Sequence, residues 1–244
     1  MTYKLIGVGT NAKTIKGDGS EYLTAILYMT PYKIMVEGKL YNSCSMAAMA
    51  ACVEACLYTA GRGQMSNVQT ARQRKAQWFY SDRVGFMAQL VTDAFKFARY
   101  CIKRDIKPVI RLNGTTDIRW ELIPVERDGV EYPNIFAAFP EIQFYDYTKI
   151  SNRKVSHIKN YHLTWSYSGA NAKYAAGLDA ALQAGMSVAV VFRDVYTKST
   201  WRGIPVVDGD KDDLRFTDPQ SHIVKLYAKG AAKKDTTGFV QEVA

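Results

Sequence analysis

Three of the four cysteines of the chain lie in one short stretch, residues 42–63, which reads NSCSMAAMAACVEACLYTAGRG. Cys52 and Cys56 are four residues apart, so a helix through them would carry both thiols on one face. Cys44 precedes that helix and could fold back over it. Three thiolates that meet at one point suit a soft metal, either zinc or an iron–sulfur cluster. We therefore expect a metal site at Cys44, Cys52 and Cys56.

The same cysteines have a second interpretation, in which they belong to the hydrophobic core. Free cysteine is often buried as a small hydrophobe, and the spacing alone does not separate core from metal ligand. Zinc usually takes a fourth protein ligand, and the three histidines, His157, His162 and His222, are distant in sequence. A cluster with three protein ligands leaves one iron open, which favours chemistry over a purely structural role.

The cysteine stretch ends in a glycine-containing loop, Ala60-Gly61-Arg62-Gly63. Glycine permits positive φ and a turn rich in exposed N–H groups. We expect the guanidinium of Arg62 to point inward, towards a negatively charged cluster or a carboxylate-bearing ligand, because arginine offers a fixed charge and a bidentate fork. The alternative is an ordinary solvated arginine on the surface.

Length and charge set the broad class of the protein. The 244 residues are 48% hydrophobic and carry a net charge of +9, which indicates a globular chain with a substantial core. The positive charge favours an anionic partner, most simply nucleic acid, although a modest surplus also serves solubility alone. The cations expected to contact such a partner are Arg62, Arg72, Arg74, Lys75, Lys233 and Lys234.

The N-terminus resembles neither a signal nor a transit peptide, and the longest apolar run, Met186–Phe192, is only strand-sized. We therefore predict a cytoplasmic protein without membrane contact. Thiols stay reduced in that compartment, which argues against disulfides and leaves the cysteines free for metal.

The elements that must position these residues alternate between strands and helices. Seven segments have strand-like composition: Tyr22–Met29, Val109–Asn113, Ile142–Thr148, Tyr161–Ser166, Ser187–Arg193, Pro205–Asp208 and Ile223–Ala228. Helices are predicted from a capping box at Ser66 to about Tyr80, from Ser81 to about Lys103, and over 170–184. Cys101 falls on the apolar stripe of the second helix, which runs through Val84, Met87, Val91, Ala94, Phe95 and Ala98, so we assign it to the core.

Alternating strands and helices predict an α/β fold with a mostly parallel sheet. Seven strands suit a single-domain irregular or partial (β/α) barrel, with the cysteine-bearing loop after the first strand. We divide this domain into N-terminal strands (1–41), the metal-binding segment (42–63), helices and βα units (64–229), and a basic tail that frays (230–244).

In parallel α/β folds, the functional site lies at the carboxyl ends of the strands. Polar residues recur at these ends, where the cysteine segment would also open. They are Asn113, Gly114, Thr115, Thr116, Asp117, Asp146, Tyr147, Lys149, Trp165, Ser166, Ser168, Arg193, Asp194, Asp208 and Asp210. Each of them alone is usually a turn former, but their joint recurrence at one edge indicates a site.

A strand, a three-cysteine loop and a run of βα units together resemble the radical S-adenosylmethionine enzymes. That resemblance implies a 4Fe–4S cluster on the three cysteines, with S-adenosylmethionine at the open iron and its cleavage to methionine and a deoxyadenosyl radical. By strand order it places residues 113–116 near the amino group of that cofactor, and Trp165 and Ser166 near its ribose. It leaves Arg62, Asp117, Asp146, Lys149, Arg193 and Asp210 to act on a substrate that the sequence does not identify. The usual spacing is C-x3-C-x2-C, whereas this chain has C-x7-C-x3-C.

Several segments also resemble a phage protein family, the gene product 88 family: CVEACLYTAGRG, RLNGTTDIRWE, FYDYTK, HLTWS and WRGIPVVDGDKDDLRF. The resemblance extends from Cys44 to Phe239 and implies an organisation rather than an activity. A phage-encoded protein would work in the bacterial host cytosol. The rival hypothesis to an enzyme is a binder of nucleic acid or of a host protein, in which a metal or cluster merely fastens the loop.

Overall fold

The structure is a computed structural model that describes residues 4–9, 14 and 21–243. The helices are α1 (Ser66–Ser81), α2 (Arg83–Ile102), α3 (Ile135–Ala138), α4 (Ala172–Ala175) and α5 (Gly177–Gln183). The strands are β1 (Ile6–Val8), β2 (Tyr22–Leu27), β3 (Lys33–Val36), β4 (Lys39–Asn42), β5 (Lys107–Arg111), β6 (Val125–Arg127), β7 (Val130–Tyr132), β8 (Gln143–Thr148), β9 (Tyr161–Ser166), β10 (Ser187–Phe192), β11 (Thr200–Trp201), β12 (Ile204–Asp208) and β13 (Ile223–Tyr227). All seven strands expected from composition are present.

The main sheet has nine strands in the order β1-β2-β5-β8-β9-β10-β13-β12-β11. Every pair from β2 to β12 is parallel, while β1 and β11 add antiparallel edges. From β2 to β13 the spatial order follows the chain order, so each crossover advances in the same direction across the sheet. Since parallel crossovers are right-handed, connections that advance in one direction return over one face. The prediction of a mostly parallel α/β sheet is confirmed.

The two faces of the sheet have different surroundings. Phe144 of β8 packs edge-on against Phe136 of α3, and Trp165 of β9 stacks on Tyr174 of α4, with ring centres 5.2 Å apart. We call this side the helix face. Tyr145 alternates with Phe144 along β8 and therefore points to the other side, which we call the polar face.

Helix α2 buries a continuous face against the sheet. Its buried residues are Phe86, Met87, Leu90, Asp93, Ala94, Phe97, Ala98 and Cys101. Cys101 is fully buried, which confirms its assignment to the core. Val84 and Phe95 were expected on the apolar stripe but are exposed, because the buried face centres on Phe86 and Phe97. The predicted stripe was therefore rotated slightly around the helix.

The helix starts differ from the predicted caps. The capping box at Ser66 is wrong, since the N-cap residue is Met65 and the Gln69 side chain donates to Gly63 O instead. The second helix begins after Asp82, whose carboxylate accepts from Gly85 N at 2.9 Å, and Ser81 belongs to α1. Asp offers a full negative charge to the first turn of α2, which Ser does not.

The cysteine segment is not a helix, contrary to expectation. Residues 45–51 form turns that end at Ala51 with φ +49°, and a short 3-10 turn follows at Leu57–Thr59. Residues 52–56 form a bend and a turn, in which Cys56 N donates to Val53 O at 3.4 Å, so Cys52 and Cys56 are not held by one helix face.

The C-terminal tail was expected to fray, and this is wrong for the part that the structure describes. It forms a 3-10 turn at Gly230–Lys234, buries Phe239 and Val240, and pairs through Gln241 with Phe192 of β10. We call residues 230–243 the C-terminal segment.

Among the described residues, no helix has both the length and the apolar character needed to span a membrane.

Candidate functional site

The three cysteines of the 42–63 stretch lie within electrostatic reach of the amine of Lys149, which follows β8 directly. The thiols of Cys44, Cys52 and Cys56 all interact electrostatically with this amine. Cys56 likewise interacts with Cys44 and with Cys52. The fold therefore gathers the predicted ligands at the carboxyl end of β8, although no single helix carries them.

In this structure the sulfur atoms are engaged with nearby backbone. Cys44 Sγ donates to Thr115 O at 3.8 Å and Cys52 Sγ donates to Ala47 O at 3.7 Å. Cys56 Sγ accepts from Tyr58 N at 3.5 Å. Burial raises the pKa of the Cys44 thiol to about 12, and it also raises the pKa of Cys56. These contacts describe protonated thiols in the case of Cys44 and Cys52.

The donor chemistry fits a soft metal or cluster, but the folded positions are not those of a ligated site. Within residues 4–9, 14 and 21–243, no three ligand side chains lie close enough to hold one metal ion. Ligation therefore requires the turns of the cysteine segment to bring the three sulfur atoms closer together.

Lys149 is held by the end of the neighbouring strand. Its ammonium donates to Ser166 Oγ at 2.9 Å and to Ser166 O at 3.1 Å. The Phe239 ring centre lies 4.4 Å from Nζ, and the Tyr174 ring centre lies 5.9 Å away. Burial lowers the pKa of Lys149, while the three thiols and Asp117 act in the opposite direction.

The turn after β5 is organised around Asn113. Its Oδ1 accepts from Thr116 Oγ1 at 2.9 Å, from the backbone N of Ile118 at 2.9 Å and from Trp120 Nε1 at 3.1 Å. Its own side-chain nitrogen donates to Ile118 O at 3.0 Å. The side chains of Asn113 and Thr116 are therefore committed to the turn itself, so this turn would meet a ligand through its backbone.

Gly114 and Thr115 fasten this turn to the end of β2. A Cβ at position 114 would lie 2.7 Å from Leu27 O and from the Tyr28 ring, so only glycine fits without a shift. Thr115 Oγ1 donates to Met29 O at 2.5 Å, and Thr115 O receives the Cys44 thiol. The turn is thus a direct neighbour of the first cysteine.

Asp117 fixes the backbone that carries Lys149. Its carboxylate accepts from Lys149 N at 2.7 Å, from Thr148 Oγ1 at 2.8 Å and from Arg153 Nη1 at 3.3 Å. Its own N–H donates to Ser43 O at 2.8 Å, next to Cys44. Burial raises the pKa of Asp117 despite these donors. Asp117 therefore links the lysine to the cysteine segment as a positioning residue.

Asp146 was expected at the rim but is fully buried on the helix face. It accepts from Asn113 N at 2.6 Å and from the Tyr161 hydroxyl at 3.1 Å, and the Tyr161 ring stacks on Phe136. Burial raises the pKa of Asp146 to about 7. It supports the turn at Asn113 from behind and has no open side towards a substrate.

The remaining predicted residues have separate positions. Trp165 is fully buried on the helix face. Arg193 pairs with Glu242 at 2.6 Å and donates to Lys233 O, which ties down the C-terminal segment. Asp210 accepts from Lys229 Nζ at 2.7 Å. None of these contacts involves the cysteines.

Arg62 is exposed, and a different arginine lies beside the cysteines. The Arg72 guanidinium lies 4.7 Å from the Tyr28 ring centre and 5.3 Å from that of Tyr58, and it interacts with Cys56. A Cβ on Gly63 would collide with the Tyr58 carbonyl and lie 3.1 Å from Arg72 Nη1. The glycine that follows Arg62 therefore makes room for the Tyr58 carbonyl and, less tightly, for Arg72.

The cations expected to contact nucleic acid fall into two groups. Arg72 is buried, and the Lys75 ammonium donates to Leu5 O at 2.6 Å, so both serve the interior. The exposed members are Arg62, Arg74, Lys233 and Lys234.

The C-terminal segment covers the cysteine segment. A second hydrophobic cluster joins Ala55 of the cysteine segment to Ala232, Phe239 and Val240, with Cys52 packed against it. Sequence reasoning missed Phe239 and assigned Arg72 to a nucleic-acid surface, because both reach the site through contacts distant in the chain and neither stands in a recognisable motif.

A protein-family model matches nearly the whole chain. The family model described as gene product 88 matches residues 4–243. The chain belongs to the gene product 88 family. No curated protein and no solved structure matches this member of the gene product 88 family. The resemblance of the short segments to that family is thereby confirmed, and it now extends over nearly the whole chain.

Proposed function

We propose that this protein binds a 4Fe–4S cluster through Cys44, Cys52 and Cys56 and is a radical S-adenosylmethionine-type enzyme. The observation that carries the proposal is that these three thiols all lie within electrostatic reach of one half-buried amine, that of Lys149. A hydrophobic core gains nothing from placing three cysteines around a cation, whereas thiolate ligands require compensating positive charge.

The topology supports the same proposal. The strands β2, β5, β8, β9, β10 and β13 are parallel neighbours in chain order, which is the winding of a (β/α) barrel rather than of a doubly wound sheet. We take this sheet to be a partial barrel. The cysteine segment lies between β2, the first parallel strand, and α1, at the carboxyl ends where barrel enzymes place their sites.

The charges near the cysteines suit thiolate ligands. Lys149 and Arg72 both favour the ionised form of Cys56, against the burial that raises its pKa. Ligands must lose their protons to bind metal, so cluster binding exchanges thiol protons for metal bonds in an environment that already contains two cations.

Cys44, Cys52 and Cys56 would hold the cluster, and in its reduced state its open iron would supply the electron for cleavage of the sulfonium bond of S-adenosylmethionine. The protein residues would position and shield that ligand. The turn at 113–116 offers backbone groups beside Cys44, Lys149 and Ser166 offer polar groups at the ends of β8 and β9, and Phe239 covers this position from the C-terminal segment. Arg62, Arg193 and Asp210 are more peripheral in this arrangement.

Anaerobic expression, or reconstitution with iron and sulfide, tests the cluster. Wild-type protein should bind iron and sulfide in equal amounts, and Cys44→Ala, Cys52→Ala or Cys56→Ala should each abolish most of this binding. Cys101→Ala is the matched control, because Cys101 is fully buried in α2, so this variant should keep its iron while losing stability. A colourless wild-type protein without iron would remove the proposal.

The enzymatic part has its own test. Reduced, cluster-loaded protein incubated with S-adenosylmethionine should release 5′-deoxyadenosine and methionine. If calorimetry finds no binding of S-adenosylmethionine and no deoxyadenosine forms, the protein is a cluster protein without radical chemistry.

A second candidate function is binding of nucleic acid, favoured by the adjacent exposed cations Lys233 and Lys234 and by the net charge of +9. Phosphate contacts release counterions, so affinity should fall with salt, with a log–log slope of about −0.9 for each contact on duplex DNA. Replacing both lysines by alanine should remove about two phosphate contacts, so that the slope becomes less negative by about 1.8. Absence of binding to any nucleic acid at low salt would exclude this function.

A further inference from the structure

The polar face of the sheet contains a buried group of hydrogen-bond donors that the proposed cluster site does not use. Arg111 ends β5, and Tyr145 and Tyr147 lie two residues apart on β8, so the two phenols share one face. The register that pairs Ile110 with Phe144 brings Arg111 beside Tyr145. All three donors therefore stand on neighbouring strands of a rigid parallel sheet.

These donors converge on one carboxylate, that of Asp213. Asp213 Oδ2 accepts from Arg111 Nη1 at 3.0 Å and from the Tyr145 hydroxyl at 2.8 Å, and Oδ1 accepts from the Tyr147 hydroxyl at 3.2 Å. Asp213 is only 2% exposed. An arginine and two phenols around one carboxylate form an anion-binding arrangement, in which the charge of Arg111 offsets that of Asp213.

The acceptor Asp213 lies on a loop connection, whereas its three donors lie on strands. Asp213 belongs to the connection between β12 and β13, residues 209–222, which contains only a 3-10 turn at Arg215–Thr217. Two of its other carboxylates, Asp212 and Asp218, pair with Arg215 at 3.1 Å and 2.9 Å. The sheet thus provides a preorganised site, and a loop segment provides the occupant.

Asp213 also leaves part of the site unused. The Arg111 side chain is 9% exposed, and among the described residues its Nε has no hydrogen-bond partner. Arginine binds a free carboxylate most strongly through two parallel N–H donors, whereas Asp213 uses one. A ligand that is not tethered to the chain could approach the fork in that geometry.

We propose that Arg111, Tyr145 and Tyr147 form a binding site for the carboxylate of a small-molecule ligand, and that Asp213 occupies this site as an exchangeable part of the chain. The ligand enters when the connection carrying Asp213 moves away from the sheet. This proposal concerns the polar face alone and does not depend on a cluster, so every test below uses the metal-free protein.

The first test is chemical rescue of Asp213→Ala in the full-length chain. The variant should unfold at a lower temperature than wild type, because it leaves the Arg111 charge buried without a partner. Sodium formate should raise its melting temperature by roughly 3–5 °C more than sodium chloride at equal ionic strength, if formate binds in about tenfold excess over its Kd. If the variant is insoluble in chloride, its recovery from formate buffer alone is the same result.

The matched control is the double variant Arg111→Met/Asp213→Ala, which lacks the guanidinium and should show no difference between formate and chloride. If formate raises the melting temperatures of the single and double variants equally, or does not raise that of the single variant, the proposed carboxylate site is overturned.

The second test asks whether Asp213 exchanges in the wild-type protein. Hydrogen–deuterium exchange of peptides from 209–222 should be faster in acetate than in chloride, while peptides from α2 should be unchanged. If residues 209–222 show the same hydrogen–deuterium exchange in both salts, Asp213 is not displaced and is a permanent partner of Arg111.

Discussion

The ammonium nitrogen of Lys149 lies 4.4 Å from the centre of the Phe239 ring, so the C-terminal segment covers the amine with which the three cysteine thiols interact. The aromatic face favours a nearby cation, and the ring also separates this position from solvent. Access to the cysteines therefore depends on how firmly the C-terminal segment is attached.

Arg193 provides much of that attachment. It pairs with Glu242 and donates to the carbonyls of Lys233 and Asp235, which lie at two places along the segment. Arg193→Ala should release the segment, so that iodoacetamide labels Cys52 and Cys56 faster in the metal-free protein, as measured by peptide mass spectrometry. Arg74→Ala removes an exposed arginine from α1 and should leave the labelling rates unchanged. Unchanged labelling of Arg193→Ala would mean that the hydrophobic contacts of Phe239 suffice to hold the segment.

Arg72 and Arg74 stand two residues apart on α1 and should behave differently. Arg72 is buried against the rings of Tyr28 and Tyr58 and donates to Tyr58 O, so Arg72→Ala should lower the free energy of unfolding by about 2–3 kcal/mol. Arg74 is exposed, and Arg74→Ala should change the free energy of unfolding by less than about 0.5 kcal/mol. Urea unfolding measures both, and equal effects would contradict an internal role for Arg72.

Asp146 should make the folded state less stable as the pH rises. Burial raises its pKa to about 7, above its unfolded value, so between pH 4 and 7 the folded state binds more protons than the unfolded state. Its contribution is fully present below the unfolded pKa and is lost as the pH rises through about 7. Asp146→Asn does not titrate, so its stability relative to wild type should increase by about 2–4 kcal/mol between pH 4 and 8.

Asp105→Asn is the matched control for Asp146→Asn, because Asp105 is exposed and asparagine tolerates its positive φ of 56°. The measurement is urea unfolding at several pH values. A difference between Asp146→Asn and wild type that stays constant with pH would show that Asp146 is ionised throughout this range.

His162 should have the opposite pH dependence. Burial and the nearby Arg215 lower its pKa to about 4, so between pH 6.5 and 4 the unfolded state binds more protons. Stability is therefore lost as the pH falls, and His162→Gln should reduce that loss by about 2 kcal/mol, allowing for partial exposure of the ring. His157→Gln, at an exposed position, should follow the wild-type curve. If the stability of His162→Gln has the same pH dependence as that of wild type, the lowered pKa of His162 is contradicted.

The sequence by itself determined the regular elements. The seven strands and the helices α1 and α2 were predictable, because β-branched composition and a helical repeat are local signals that the packed fold preserved. The burial of Cys101 followed from the same repeat. Helix starts were less predictable: the cap fell on Asp82 rather than Ser81, since both residues can cap and only the packing of α1 against α2 selects one.

The tertiary structure alone decided how the candidate site is composed. The three cysteines were identified from spacing, but residues 52–56 form a bend and a turn instead of the helix expected to carry Cys52 and Cys56. What the three thiols share is an electrostatic interaction with Lys149, the residue that follows β8. Arg62 was chosen for its glycine neighbours, yet it is exposed, and Gly63 instead makes room for the Tyr58 carbonyl and for Arg72 of the following helix. Phe239 and the pairing of Asp213 with Arg111 connect residues far apart in the chain. Such contacts depend on strand order and on which face each side chain occupies, and the local sequence around either partner does not encode them.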